Sequence, residues 1–285
     1  MTIRPRRSVL YMPGANARAL EKAREIPCDA IIFDLEDSVA PEAKQEARAQ
    51  VMAALETGGY GRRERVVRVN GLDTPWGADD LTAARAARPD AVLIPKVSEA
   101  ADLEPVQSAL GPDADIAVWA MMETPRAMLN ALEIADAAHA GCPALSVLVM
   151  GTNDLAKETR TELAPGRAMF LPWLAACLAA ARAGGLDIID GVYNDLDDAE
   201  GFMAECRQGR ELGMDGKTLI HPRQVAPCND AFSPSEAEIA HARAIVAAFE
   251  APEAEGKGVL RVNGRMVERL HADMARRTLA LAEAL

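Results

Sequence analysis

The chain is 285 residues long, 49% hydrophobic and 26% charged, enough to bury a substantial core as one large or two average domains. A net charge of −12 argues against a nucleic-acid partner or an anionic membrane surface, and no apolar run is long enough to span a bilayer. Cys28, Cys142, Cys177, Cys206 and Cys228 lack metal-ligand spacing and are odd in number, which excludes a disulfide framework and, with no signal-peptide core at the N-terminus, gives a cytoplasmic expectation.

In chain order, short apolar runs end near Tyr11, Leu35, Val69, Ile94, Met122, Met150, Ile189 and Leu219. Between and after them lie helical patterns over residues 17–26, 41–55, 78–87, 99–110, 125–139, 167–184, 195–212 and 235–249. Pro41 and Pro125 sit where a first-turn proline is tolerated, Ser235–Glu238 has capping-box spacing, and Gly184, Gly185 and Gly213 are natural stops. Eight strand–helix units in a chain of this size predict a (β/α)8 TIM barrel over residues 1–250, and Tyr11–Ala15 carries no phosphate-binding glycine fingerprint of a doubly wound sheet. Residues 251–285 remain as a C-terminal extension: a polar linker over 252–258, an apolar stretch over 259–267 broken by Asn263-Gly264, and a final helix from about His271.

In such barrels the chemistry collects at the C-terminal ends of the strands. That face would carry Gly14, Glu36, Asp37, Arg68, Asn70, Lys96, Glu123, Asp154, Asp190 and His221. The run Asp34-Leu-Glu36-Asp37 closes the second strand with three carboxylates, which must face water, a cation or a substrate because burying them uncompensated is too costly. Glu123 and Asp154 follow adjacent strands with no histidine beside them, a donor pair suited to Mg²⁺ rather than zinc. Helix capping is the plainer role for either alone. Arg68 suits two-pronged recognition of a carboxylate, and a salt bridge to Glu36 or Asp37 is compatible with that role. Gly151-Thr152-Asn153 offers backbone N–H groups as a cradle for a carboxylate or oxyanion. His221 reads as a loop-holding residue before an acid–base group, and Asp190 as a supporting or turn residue before a ligand. Arg4, Arg6, Arg7, Arg18, Lys22 and Arg24 form the one basic cluster available to an anionic substrate.

Seven motifs together carry a family resemblance. They are Arg7-Ser-Val-Leu-Tyr-Met-Pro-Gly14, Phe33-Asp-Leu-Glu-Asp-Ser-Val-Ala-Pro41, Val67-Arg-Val-Asn70, Ile94-Pro-Lys-Val97, Met122-Glu-Thr124, Gly151-Thr-Asn-Asp-Leu155 and Gly216-Lys-Thr-Leu-Ile-His-Pro222. In this order they resemble the citrate lyase beta-subunit-like (HpcH/HpaI aldolase) family over nearly the whole chain. The resemblance implies a Mg²⁺-dependent barrel acting on CoA thioesters of hydroxy-diacids, with Glu123 and Asp154 as metal ligands and Arg68 gripping the oxoacid or hydroxyacyl portion. It also implies that Glu36 and Asp37 order metal-bound water and Arg68, and that Tyr11 and Lys22 contact the CoA nucleotide. Asn16 stands where a basic residue is common, which transfers a phosphate contact to Arg18. Family members that work on a C–C bond present an Asp from a C-terminal lid across a subunit interface; this chain has Glu268 there. With Gly151–Glu158 and Asp190–Asn194, that substitution resembles the (3S)-malyl-CoA thioesterase branch most. The resemblance thus implies hydrolysis to malate and CoA in a homo-oligomer, a trimer or hexamer. A malyl- or citramalyl-CoA lyase, or a citrate lyase beta subunit acting on an acyl carrier protein, are the alternatives.

Overall fold

Eight short segments rich in Val, Ile, Leu and Ala form parallel strands: β1 (Ser8–Pro13), β2 (Ala30–Asp34), β3 (Glu64–Arg68), β4 (Ala91–Ile94), β5 (Ala117–Met122), β6 (Leu145–Met150), β7 (Asp187–Asp190) and β8 (Gly216–Leu219). Each pairs with the next and β1 pairs with β8, so the computed structural model is the closed eight-stranded barrel that the alternation predicts. It describes residues 3–111, 115–252 and 256–285. Branched side chains suit the pleated, two-sided burial of such strands. Val9, Ile32, Val66, Leu93, Trp119, Val147 and Ile189 fill the interior, all fully buried.

The N-terminal end of the barrel is closed by charge. Arg6 pairs with Glu64 and Asp187 and lies 5.4 Å from the centre of the Trp119 ring, while Arg7 pairs with Asp29 at 2.8 Å. Both arginines therefore leave the basic cluster expected from the sequence. Another buried charge group lies between β7 and β8. Asp190 accepts from Arg167 at 2.7 Å and from Lys217 at 3.1 Å, and Lys217 also donates to Glu205 at 2.6 Å. Asp190 and Lys217 are fully buried, so Asp190 is a structural partner, as the sequence reading preferred.

The helices lie where the apolar period puts them, with ends set by local chemistry. Pro41–Ala43 and Ala100–Leu103 are 3-10 turns leading into the helices Lys44–Thr57 and Glu104–Leu110. The helix expected from residue 195 starts at Ala199, because Asp195 takes up the N–H groups of Asp197 and Asp198 ahead of it and Asp198 caps its first turn by accepting from Gly201 N. Two helices go beyond the sequence reading: Thr152–Thr159, and Val225–Phe232, which follows β8. All five cysteines are free and buried, and no helix among the described residues is long and apolar enough to cross a membrane.

The chain divides into two compact units, Arg6–Ala231 and a second built from the N-terminal residues up to Pro5 together with Phe232–Leu285. The sequence reading kept residues 232–250 with the barrel; in the structure helix Glu236–Glu250 buries Ala242 and Ile245 against Val262, Val267, Ala272 and Ala275 of its own unit. Residues 253–255 of the expected linker lie outside the described residues. The broken apolar stretch is an antiparallel hairpin of β9 (Val259–Val262) and β10 (Arg265–Glu268). Its turn, Asn263-Gly264, has φ of 50° and 81°, the left-handed pair that matches the twist of a two-residue hairpin. Helix Arg269–Ala284 follows.

Candidate active site

The C-terminal mouth of the barrel holds a cavity of about 410 Å³ whose walls include Tyr11, Asp34, Asp37, Arg68, Glu123 and Asp154. Gly151, Thr152 and Asn153 complete one side. Their backbone belongs to a helix start. Thr152 opens helix Thr152–Thr159, so the N–H groups of Thr152, Asn153 and Asp154 are first-turn donors that a helix leaves without internal acceptors.

The acidic run after β2 divides by burial. Asp34, the register partner of Arg68 across β2 and β3, is 2% exposed and grips that arginine in a fork, Nε to Oδ1 and Nη2 to Oδ2, both 2.7 Å. The expectation that all three carboxylates face water, a cation or a substrate is thus corrected for Asp34. Burial alone would raise its carboxyl, but Arg68 holds it below the usual range. Glu36 pairs with the Nη1 of Arg68 at 2.8 Å and with Lys96 Nζ at 2.9 Å, while Asp37, more than half exposed, stands 3.5 Å from Nη1. Asp34 occupies the Nε–Nη2 edge of Arg68 and Glu36 pairs with Nη1, so any other anion approaches the Nη1–Nη2 end beside Glu36 and Asp37. Arg68→Lys keeps the charge but cannot span both Asp34 oxygens, and it is expected to lower kcat/KM at least tenfold, about 1.4 kcal/mol, in a steady-state assay.

Glu123 is 1% exposed. Its Oε1 accepts the backbone N–H of Lys96 at 2.8 Å. A Cβ on Gly151 would fall 2.4 Å from its Oε2, so only glycine admits the carboxylate there. Burial pushes the Glu123 carboxyl up to about 8, and the neighbouring Glu36 and Asp154 add to the rise. A buried carboxyl crowded by two others is an environment that a cation would relieve. Among the described residues no three His, Cys, Asp or Glu side chains converge as a ligand cluster. Glu123 and Asp154 are hard oxygen donors, a type that fits Mg²⁺, which keeps several waters and takes one or two carboxylates.

The remaining expected residues separate. The Tyr11 ring stacks on Arg68, 5.0 Å from its guanidinium, and its hydroxyl donates to Met121 Sδ at 3.5 Å. It is thus placed beside the carboxylates. Arg18 and Lys22, with Arg24, line an exposed cleft that also holds Glu21 and Glu25. Asn70 is buried and donates to Leu35 O and Asp80. His221 accepts from Arg223 N and caps a 3-10 turn, the loop-holding role. Glu268, in the second unit, forms a capping box with His271 at the start of helix Arg269–Ala284. Two site residues carry more than the sequence gave them. Asp34 anchors Arg68, and Lys96 bridges Glu36 and Glu123.

The comparisons with known proteins agree with one another. A family model described as HpcH/HpaI aldolase/citrate lyase matches residues 7–222, and one described as C-C_Bond_Lyase of the TIM-Barrel fold matches residues 168–285. A (3S)-malyl-CoA thioesterase of Cereibacter sphaeroides (strain KD131) is 57% identical over 281 residues, covering 99% of this chain and 96% of its own. Citrate lyase subunit beta of Escherichia coli (strain K12) is 38% identical, covering 98% and 94%. The solved structure of CitE from Mycobacterium tuberculosis in complex with magnesium, acetoacetate and coenzyme A matches with a TM-score of 0.75 at 27% identity, covering 98% of this chain and 99% of that one. The matched span contains every carboxylate at the barrel mouth together with Arg68, and on that ground the chain belongs to the HpcH/HpaI aldolase/citrate lyase family.

Proposed function

We propose that the protein is a Mg²⁺-dependent (3S)-malyl-CoA thioesterase, hydrolysing its substrate to malate and CoA. The observation that carries this reading is the 57% identity to a (3S)-malyl-CoA thioesterase along essentially the whole of both chains. Glu123 and Asp154 hold the ion, which when bound offsets their negative charge and polarises substrate oxygens. Arg68, fixed by Asp34, presents its Nη1–Nη2 end to the free carboxylate of the malyl group. Thr152 and Asn153 line the same cavity, and their first-turn N–H groups suit an oxygen that gains charge as the carbonyl is attacked. Glu36 and Asp37 flank Arg68 and keep the remaining polar wall ordered. Arg18 and Lys22 take the phosphates of CoA.

Hydrolysis needs a base for water. In this reading Glu268 supplies it, delivered by the C-terminal segment of a neighbouring copy in a trimer or hexamer. Its carboxylate takes a proton from water, the water oxygen bonds to the thioester carbon, the C–S bond breaks, and the CoA sulfur leaves with that proton. Five free thiols, all buried, suit a reducing cytoplasm.

The test is one incubation with malyl-CoA and Mg²⁺, following free CoA against acetyl-CoA and glyoxylate. Free CoA with malate is the expected outcome, and Glu268→Ala should lose it. Glu268→Asp, one methylene shorter, should move products toward acetyl-CoA and glyoxylate. Acetyl-CoA and glyoxylate as the wild-type products would replace the thioesterase reading with the lyase reading. A Glu268→Ala variant at full rate would remove Glu268 from the mechanism.

A further inference from the structure

Lys96 follows β4 and has φ of +54°, a left-handed backbone that costs a side-chain-bearing residue free energy. Lysine has no local hydrogen bond that eases this conformation, unlike asparagine or aspartate. The conformation does two things at once. It turns the backbone N–H of Lys96 onto Glu123 Oε1 at 2.8 Å, and it aims the side chain across the mouth so that Nζ reaches Glu36 Oε1 at 2.9 Å. Lys96 thereby makes the side-chain hydrogen bond to Glu36, at Oε1, while Oε2 is buried and only ion-paired with Arg68 Nη1 at 2.8 Å, outside hydrogen-bond geometry. Glycine would adopt the same backbone without strain and give Glu123 the same N–H. Only the ammonium group explains what the strain accomplishes.

We infer that Lys96 is a strained positioning residue whose ammonium fixes the Glu36 carboxylate against Arg68, and so sets the arginine that faces the substrate. The inference rests on the proposed function for its reaction and on the geometry alone for its strain. Four variants separate the two: Lys96→Gly, Lys96→Ala, Lys96→Met and Lys96→Arg. Without metal or substrate, Lys96→Gly should melt about 2–4 °C above Lys96→Ala, because both lose the side chain and only Gly relieves the backbone. In turnover the ranking should not follow stability. Lys96→Gly, Lys96→Ala and Lys96→Met should each lose at least tenfold in kcat, and Lys96→Arg should recover most of it. The Mg²⁺ concentration for half-maximal rate should stay at the wild-type value in all four, since each keeps the N–H on Glu123. A Lys96→Gly enzyme more stable than Lys96→Ala yet poorly active is the expected result, one that a purely structural role would not produce. Full turnover by Lys96→Gly or Lys96→Met in the presence of an active wild type overturns this inference and leaves the proposed function standing. A wild type inert toward both malyl-CoA and citramalyl-CoA overturns the proposed function and this inference with it.

Discussion

Replacing Asp154 by Ala is expected to abolish turnover, by about a thousandfold or more, while leaving the barrel folded. Asp154 sits in the first turn of helix Thr152–Thr159 on the cavity wall, and no hydrogen bond to the strand core depends on its carboxylate among those described. In the proposed reading it supplies one of the two metal-binding carboxylates, the other being Glu123. Losing one ligand of a Lewis-acid site removes several kcal/mol of transition-state stabilisation, and each ~1.4 kcal/mol is a factor of ten in rate. Excess Mg²⁺ should restore little, because the remaining ligand, Glu123, is the buried one whose carboxyl is pushed up to about 8. Circular dichroism and melting curves check the fold, and titration of Mg²⁺ into the variant checks the rest. Wild-type turnover that persists in excess EDTA would remove the metal from the mechanism.

Lys217→Met is expected to give the largest loss of stability. Lys217 and Asp190 are both fully buried, and Lys217 and Arg167 together balance the two carboxylates of Asp190 and Glu205. Removing one partner of a buried pair leaves an uncompensated charge and costs about 3–5 kcal/mol. The loss should depend on pH in a definite direction. Burial would raise the Asp190 carboxyl, but Lys217 and then Arg167 hold it below its ordinary 3.8. In the wild type this contributes stability above that pH, lost as pH falls through the folded value. Without Lys217 burial counts for more, so Asp190 destabilises the variant increasingly as pH rises toward neutrality. Denaturation at pH 7 and at pH 4 should therefore show a smaller deficit at the lower pH. A deficit under about 1 kcal/mol at pH 7 would contradict the buried-pair account.

The strand ends were legible in the sequence because the apolar runs are short and polar or turn-forming residues follow them within a few positions, which drew attention to Glu36, Arg68, Glu123 and Asp154. The pairing of Asp34 with Arg68 was not legible. It depends on strand register, which places the two residues side by side across β2 and β3, and register is a property of two strands together. Helix Thr152–Thr159 was hidden because Gly151, Thr152, Asn153 and Asp154 are all turn-favouring residues, and it runs for only eight. Helix Val225–Phe232 was equally short, and the longer pattern over 235–249 took its place in the count. The hairpin at Asn263-Gly264 left a plain signal, an Asn-Gly pair between Val259-Leu-Arg-Val262 and Arg265-Met-Val267, but residues 259–267 are too few to separate from a broken strand by period alone. The left-handed backbone of Lys96 has no sequence signature, since Pro95 before it and Val97 after it do not demand that conformation.

The burial of every cysteine has a practical consequence at the bench. The proposed product, CoA, is a free thiol, and the simplest continuous assay follows it with a thiol-reactive chromogen. Such reagents attack thiolates. Burial pushes the Cys28 and Cys142 thiols up to about 11 and Cys177 up to about 12, and it carries Cys228 well above its ordinary value. With Cys206 also buried, the folded enzyme should be nearly silent toward the dye, so the colour that develops belongs to the product. The same silence supplies a built-in alarm: a variant that unfolds during the assay announces itself as a burst of up to five equivalents of its own thiol, distinct from turnover because it does not scale with substrate.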